Sequence, residues 1–95
     1  MASIGLHESE HKLSATTQDK HRAIVSLMEE LEAIDWYNQR CDACDDRELK
    51  SILEHNRDEE KEHAAMLLEW IRRQDPAFSA QLKNYLFTEK PLAGH

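Results

Sequence analysis

The chain has 95 residues, of which 33% are charged and only two each are glycine and proline, and its formal net charge is −7. This length allows one small domain, and the acidic balance excludes the basic surface that nucleic-acid binding needs. No stretch approaches the roughly 20 apolar residues of a membrane span, and Met1–His7 lacks the apolar core of a signal peptide, so a soluble cytoplasmic protein is expected.

Few turn formers and abundant Glu, Lys and Arg favour long helices over strands. Residues 1–14 carry no firm period and read as a flexible N-terminus. A first helix is expected over 15–41, with Thr16 as its cap and Asp19 three residues on in the capping-box position. Ile24, Leu27, Leu31 and Ile34 recur there at helical spacing. Cys41–Asp46 forms the link, and Asp45 or Asp46 suits the cap of a second helix over 46–74. Leu49, Leu53, Ala64, Leu67 and Ile71 mark one face of that helix.

Asp75–Pro76 stops the second helix and starts a short third one over 76–87, with Asp75 as cap and Pro76 at the first helical position. Phe78, Leu82, Tyr85 and Leu86 give it an apolar stripe, and 88–95 forms a tail. The expected fold is an all-α antiparallel two-helix hairpin plus a short C-terminal helix. A lone hairpin exposes much of its apolar stripe, and a second copy closing a four-helix bundle is the simplest remedy.

Two chemistry-bearing motifs stand out. Cys41 and Cys44 form a Cys-x-x-Cys pair, but a thioredoxin-like motif needs a βαβ context and a structural zinc needs about four ligands. Reduced thiols are the expectation for this pair. The second motif is polar residues on apolar faces. At about 100° per residue, Glu30 sits at the centre of the stripe of Ala23, Leu27, Ile34 and Tyr37. Glu60 sits at the centre of the second helix's stripe, and His63 lies about 60° to one side.

A carboxylate held in a core costs several kcal/mol unless it is paired or bound to metal, as a rough order of magnitude. Arg57, about 60° from Glu60, offers one glutamate a pairing partner. A metal explains all three residues together. Di-iron carboxylate bundles take one Glu from each of two helices and Glu-x-x-His from each of the other two. Glu60–His63 is Glu-x-x-His and Glu30 is the lone Glu, so one chain carries half the set and two copies carry all of it. Carboxylates with imidazole suit iron, with zinc or manganese as mimics. The negative charge favours Fe(III), which points to oxidation of Fe(II) by O₂. Tyr37 reads equally as a hydrogen-bond donor to the site or as core. Glu29, Glu32 and Trp36 share a neighbouring face, which reads as a loose cation site or as a solvated surface.

The runs His21–Tyr37, His55–Met66 and Tyr85–Glu89 resemble the encapsulated ferritins. The resemblance implies a ferritin-like four-helix bundle built from two half-length chains, closing further into a ring of five dimers. It implies a ferroxidase centre between chains, with Glu30, Glu60 and His63 as metal ligands and Tyr37 beside it. It also implies a metal-access site at Glu29, Glu32 and Trp36. By the same resemblance the protein is cargo of an encapsulin shell, so it resides inside a nanocompartment in the cytoplasm. Docking would run through a C-terminal extension that is absent from Leu92–His95. Two rival readings are a di-iron oxygenase or peroxidase on the same bundle, and a structural helical adaptor without metal chemistry.

Overall fold

A computed structural model describes residues 5–94; the start of the expected flexible N-terminus (1–4) and His95 lie outside the described residues. The described residues are helical and turn structure: a 3₁₀ turn at Glu10–Lys12, then α1 (Ala15–Ala43), α2 (Arg47–Gln74) and α3 (Pro76–Tyr85).

The first helix starts on a different cap from the one expected. Ser14, in an extended conformation, accepts a hydrogen bond from the Thr17 amide at 3.1 Å, so Thr16 lies inside the first turn. The Thr16–Asp19 capping box does not form, and Asp19 instead pairs with Arg22 at 2.6 Å. Ser14 serves because its side chain already faces a free amide three residues on, which is the geometry a cap requires. The helix also runs two residues past Cys41, since neither Asp42 nor Ala43 breaks it, and Cys44 becomes its C-cap. Asp46 stands outside α2 as its cap, accepting from the Leu49 amide at 2.8 Å. Asp75 caps α3 through the Phe78 amide at 3.0 Å, with Pro76 in the first turn. The third helix stops at Tyr85 rather than at residue 87, because Phe87 takes a left-handed φ of 55° that a helix cannot continue through.

The three-residue link folds α2 back along α1, and α3 packs on α2. The result is a thin layer of 50 × 38 × 20 Å, only about two helix diameters deep. Its radius of gyration is 16.9 Å, against roughly 12 Å for a compact chain of this length. The buried apolar residues are small or single: Ala23 and Cys41 on α1, Ala64 and Ile71 on α2. Ile24, Leu31, Leu49, Ile52, Met66 and Trp70 stay exposed, so Leu49, expected on the packed stripe, is open to solvent.

A polar clasp sets α3 against α2. Glu69 accepts from Arg72 at 2.6 and 2.8 Å and from Arg73 at 2.7 Å. Arg72 also donates to the hydroxyl of Ser79, a buried residue of α3, at 2.9 Å. The two guanidinium groups hold the Glu69 carboxyl down at about 2.

Candidate metal centre

Glu30 lies midway along α1, and Glu60 and His63 lie one turn apart midway along α2. The hairpin brings the three together across the helix pair. One ligand atom from each lies within 4.8 Å of the other two. His63 Nδ1 is 3.5 Å from Glu30 Oε2 and 3.6 Å from Glu60 Oε2. Among the described residues this is the one group of three or more His, Cys, Asp or Glu side chains so arranged.

The local electrostatics bear on what the cluster can hold. Glu30 Oε2 is buried without a hydrogen-bond partner, a costly state for an acceptor. The Glu60 carboxyl beside it is the first cause that raises the Glu30 pKa, followed by burial and by the like charge of Glu60, while His63 pulls the other way. A group of two carboxylates and one imidazole, with one oxygen unsatisfied, fits a hard or borderline divalent cation. The donor set and the orphaned oxygen therefore fit iron.

Arg57, the alternative partner for Glu60, turns elsewhere. Its Nε donates to Asp58 at 3.1 Å and its Nη1 reaches across to Asn38 Oδ1 on α1 at 3.3 Å. This leaves the acidic pair to His63. The Asn38–Arg57 bridge between helices was not foreseen; the only signal in the sequence is a polar residue on each helix facing the link end.

The other site candidates are dispersed along α1. Tyr37 is half-buried, two turns from Glu30, and carries the Arg40 guanidinium over its ring at 5.3 Å. Glu29 is exposed, Glu32 is half-buried, and Trp36 is exposed beside a shallow notch shared with Gln39 and Arg40. None of these residues belongs to the Glu30–Glu60–His63 group.

Comparison with known proteins places this geometry in a family. The family described as EncFtn-like matches residues 5–89. An encapsulated ferritin-like protein of Rhodospirillum rubrum is 59% identical over 91 residues, which are 96% of this chain and 65% of the relative's length. A ferritin-like protein of Thermotoga maritima is 52% identical over 86 residues, 90% of this chain and 75% of that one. The encapsulin nanocompartment cargo protein EncC of Myxococcus xanthus is 44% identical over 59 residues, 62% of this chain and 45% of its own. In structure, the chain superposes on protein ne0167 from Nitrosomonas europaea with a TM-score of 0.91 and 69% identity, covering 95% of this chain and 99% of that one. With 85 consecutive residues matched and the ligand cluster inside them, the chain belongs to the EncFtn-like family of encapsulated ferritin-like proteins.

Proposed function

We propose that the protein is a ferroxidase that oxidises Fe(II) to Fe(III) with O₂ at a di-iron centre shared by two chains. The observation that carries this reading is the buried, partnerless Glu30 Oε2 within 4.8 Å of Glu60 and His63 ligand atoms. Fe(II) is the substrate, and O₂ accepts the electrons.

Each residue has a role set by its place. Glu30, from α1, and Glu60, from α2, supply negative charge from opposite sides of the hairpin. His63 adds a neutral nitrogen donor one turn from Glu60. Three donors leave a metal ion with open positions for O₂ or water. Two chains bring four carboxylates, whose charge balances two divalent ions and leaves an excess of positive charge once both are trivalent. Protons compete with metal for Glu30, whose pKa is raised, so metal affinity falls as pH falls through that pKa.

The exposed Ile24, Leu31, Ile52, Met66 and Trp70 support the pairing, because a half-bundle leaves such residues uncovered. A role as cargo inside an encapsulin shell is supported by the cargo protein and the encapsulated ferritin-like protein among the relatives, and a ring of five dimers is proposed from the family resemblance alone. Tyr37 is proposed to border the centre, and Glu29, Glu32 and Trp36 to receive iron on its approach.

The test is aerobic Fe(II) oxidation by the purified full chain. Glu30→Ala, Glu60→Ala and His63→Ala are each expected to lose most of the rate, because each removes two ligands from a paired site. Wild-type rates in all three variants would falsify the centre. An organic substrate would favour an oxygenase instead, yet the notch beside Trp70 is lined by Glu62, Met66, Glu69 and Arg73 rather than by the cluster.

A further inference from the structure

The Cys41–Cys44 pair takes no part in the metal centre. Cys41 lies eleven residues after Glu30 on α1, a distance of roughly 16 Å at the helical rise. It is the most deeply buried of the core residues, at 3% exposure, and it borders a notch lined by Asn38, Lys50, Glu54 and Arg57. Cys44 is the C-cap of the same helix, half-buried, and its thiol donates to the Asp46 carbonyl oxygen at 3.5 Å. Both are free thiols.

The backbone brings the two into bridging range. Their Cα separation is set by the conformations of Asp42 and Ala43, and both are helical. Three helical steps place the Cα atoms roughly 5 Å apart with Cβ atoms about 60° apart around the axis. The Cα spacing lies inside the window of about 4.4–6.8 Å that disulfides occupy. The Cβ atoms, about 5–6 Å apart at this helical spacing, must close to about 3.5–4.5 Å, a movement that falls to Cys44, the C-cap outside the helix. A metal reading of the pair finds no support: among the described residues, neither thiol gathers with Asp42, Asp45 or Asp46 into a ligand group.

We propose that Cys41 and Cys44 are a peroxide-oxidisable dithiol, in which Cys44 takes the first oxidation and Cys41 resolves it to an intrachain disulfide. Cys44 is the more accessible sulfur, and its S–H contact to the Asp46 carbonyl is weak enough to give way. Its sulfur attacks one oxygen of hydrogen peroxide. The O–O bond breaks, an S–O bond forms, and the leaving hydroxide takes up the thiol proton as water. The Cys41 sulfur then attacks the Cys44 sulfenic acid. The S–S bond forms, the S–O bond breaks, and the hydroxyl leaves with the Cys41 proton as a second water. Two thiols lose two electrons, and one peroxide becomes two waters. The inference rests on the turn's geometry and holds whether or not the chain oxidises iron.

The test treats the full chain, free of iron, with hydrogen peroxide, then unfolds it and alkylates with N-ethylmaleimide. Loss of both alkylatable thiols is expected, restored by dithiothreitol, with helicity by circular dichroism unchanged. Trypsin cuts after Arg40 and Arg47, so one fragment carries both cysteines and is expected two hydrogens lighter. In Cys41→Ser, dimedone is expected to trap a sulfenic acid on Cys44; in Cys44→Ser, Cys41 is expected to stay unlabelled. Two thiols still alkylated, disulfides linking separate chains, or sulfinic acid without a bridge would each overturn the proposal. The measurement on the native protein stands even if a variant fails to fold.

Discussion

Removing the Glu30 charge while keeping its shape separates the repulsion within the metal-free cluster from the gain expected on binding metal. In Glu30→Gln the carboxylate becomes a neutral amide of nearly equal size. Ligand atoms of Glu30 and Glu60 lie within 4.8 Å of each other. At that separation two charges repel by about 3.5 kcal/mol at an effective dielectric of 20, and by about 0.9 kcal/mol in water. Both side chains are 24% exposed, so the value falls between these limits, with His63 offsetting part of it. Metal-free Glu30→Gln is therefore expected to unfold about 1–3 kcal/mol less readily than wild type, worth roughly 4–8 °C of melting temperature per kcal/mol for a domain of this size. The pH dependence follows from the direction of the Glu30 shift. A carboxyl with a raised folded pKa contributes stability that is present at low pH and lost as pH rises through that pKa. The advantage of the variant should thus be largest at neutral pH and should shrink on acidification, where wild-type Glu30 is itself neutral. Zn²⁺ is expected to raise the melting temperature of wild type and to do so far less for the variant. The assay is thermal unfolding by circular dichroism, in chelator and in Zn²⁺, at one fixed protein concentration, because association shifts apparent stability. A variant less stable than wild type without metal, with an undiminished Zn²⁺ increment, would refute the reasoning.

Other consequences are equally direct. Ser14→Ala is expected to cost about 0.5–2 kcal/mol by urea unfolding, whereas Thr16→Ala, which removes no cap, should leave stability close to wild type. Glu69 is held at about 2 by Arg72 and Arg73, so its bridges contribute stability present above the ordinary carboxylate range and lost as pH falls through about 2. The difference between wild type and Glu69→Gln in acid unfolding should accordingly collapse near that pH. Glu32→Ala is expected to alter how fast iron reaches the centre while Zn²⁺ still stabilises the chain; stopped-flow traces superimposable on wild type would make that carboxylate an ordinary solvated group.

The hairpin and the Glu30–Glu60–His63 cluster were legible because both rest on local periodicity. Glu30 and Glu60 stand out by occupying the apolar stripe, and an i,i+3 histidine needs only the helix itself to reach its neighbour. Choices between near-equivalent local partners were less legible. Ser14 and Thr16 are both competent caps, and the first free amides select the earlier one. Arg57 could turn along its helix toward Glu60 or across to Asn38, and only the spacing of the two helices decides. The end of α1 slipped by two residues because Asp42 and Ala43 carry no strong stop signal. The clasp of Glu69, Arg72, Arg73 and Ser79 depends on how α3 folds onto α2, which no period encodes.

In the proposed pairing of two chains, the thin core and the half set of ligands have one cause. Were the hairpin a finished domain, its centre would hold large apolar side chains, since burying one Leu, Ile or Trp yields about 1.5–3 kcal/mol. The centre instead holds Ala23 on α1 and Ala64 on α2, and Glu30 and Glu60 stand on the same two helices. Small residues let the two helices approach closely enough for Glu30 and His63 to come within 3.5 Å. Ile52, Met66 and Trp70 stay exposed on α2, so apolar surface and the proposed ligands belong to the same helix pair. A partner copy would cover the first and complete the second. Charge sets the order in which this happens. In the proposed dimer, four carboxylates meeting without metal would repel, so pairing is expected to be weak until cations bind, and cation binding to be weak until the second chain supplies its donors. The two equilibria are linked by mass action, and each must strengthen the other by the same factor. Native mass spectrometry at a series of Zn²⁺ concentrations reads that factor directly. The dimer fraction is expected to rise with Zn²⁺ in wild type and to become indifferent to it in Glu30→Gln. An oligomer distribution that ignores metal in wild type would place the three ligands within one chain only.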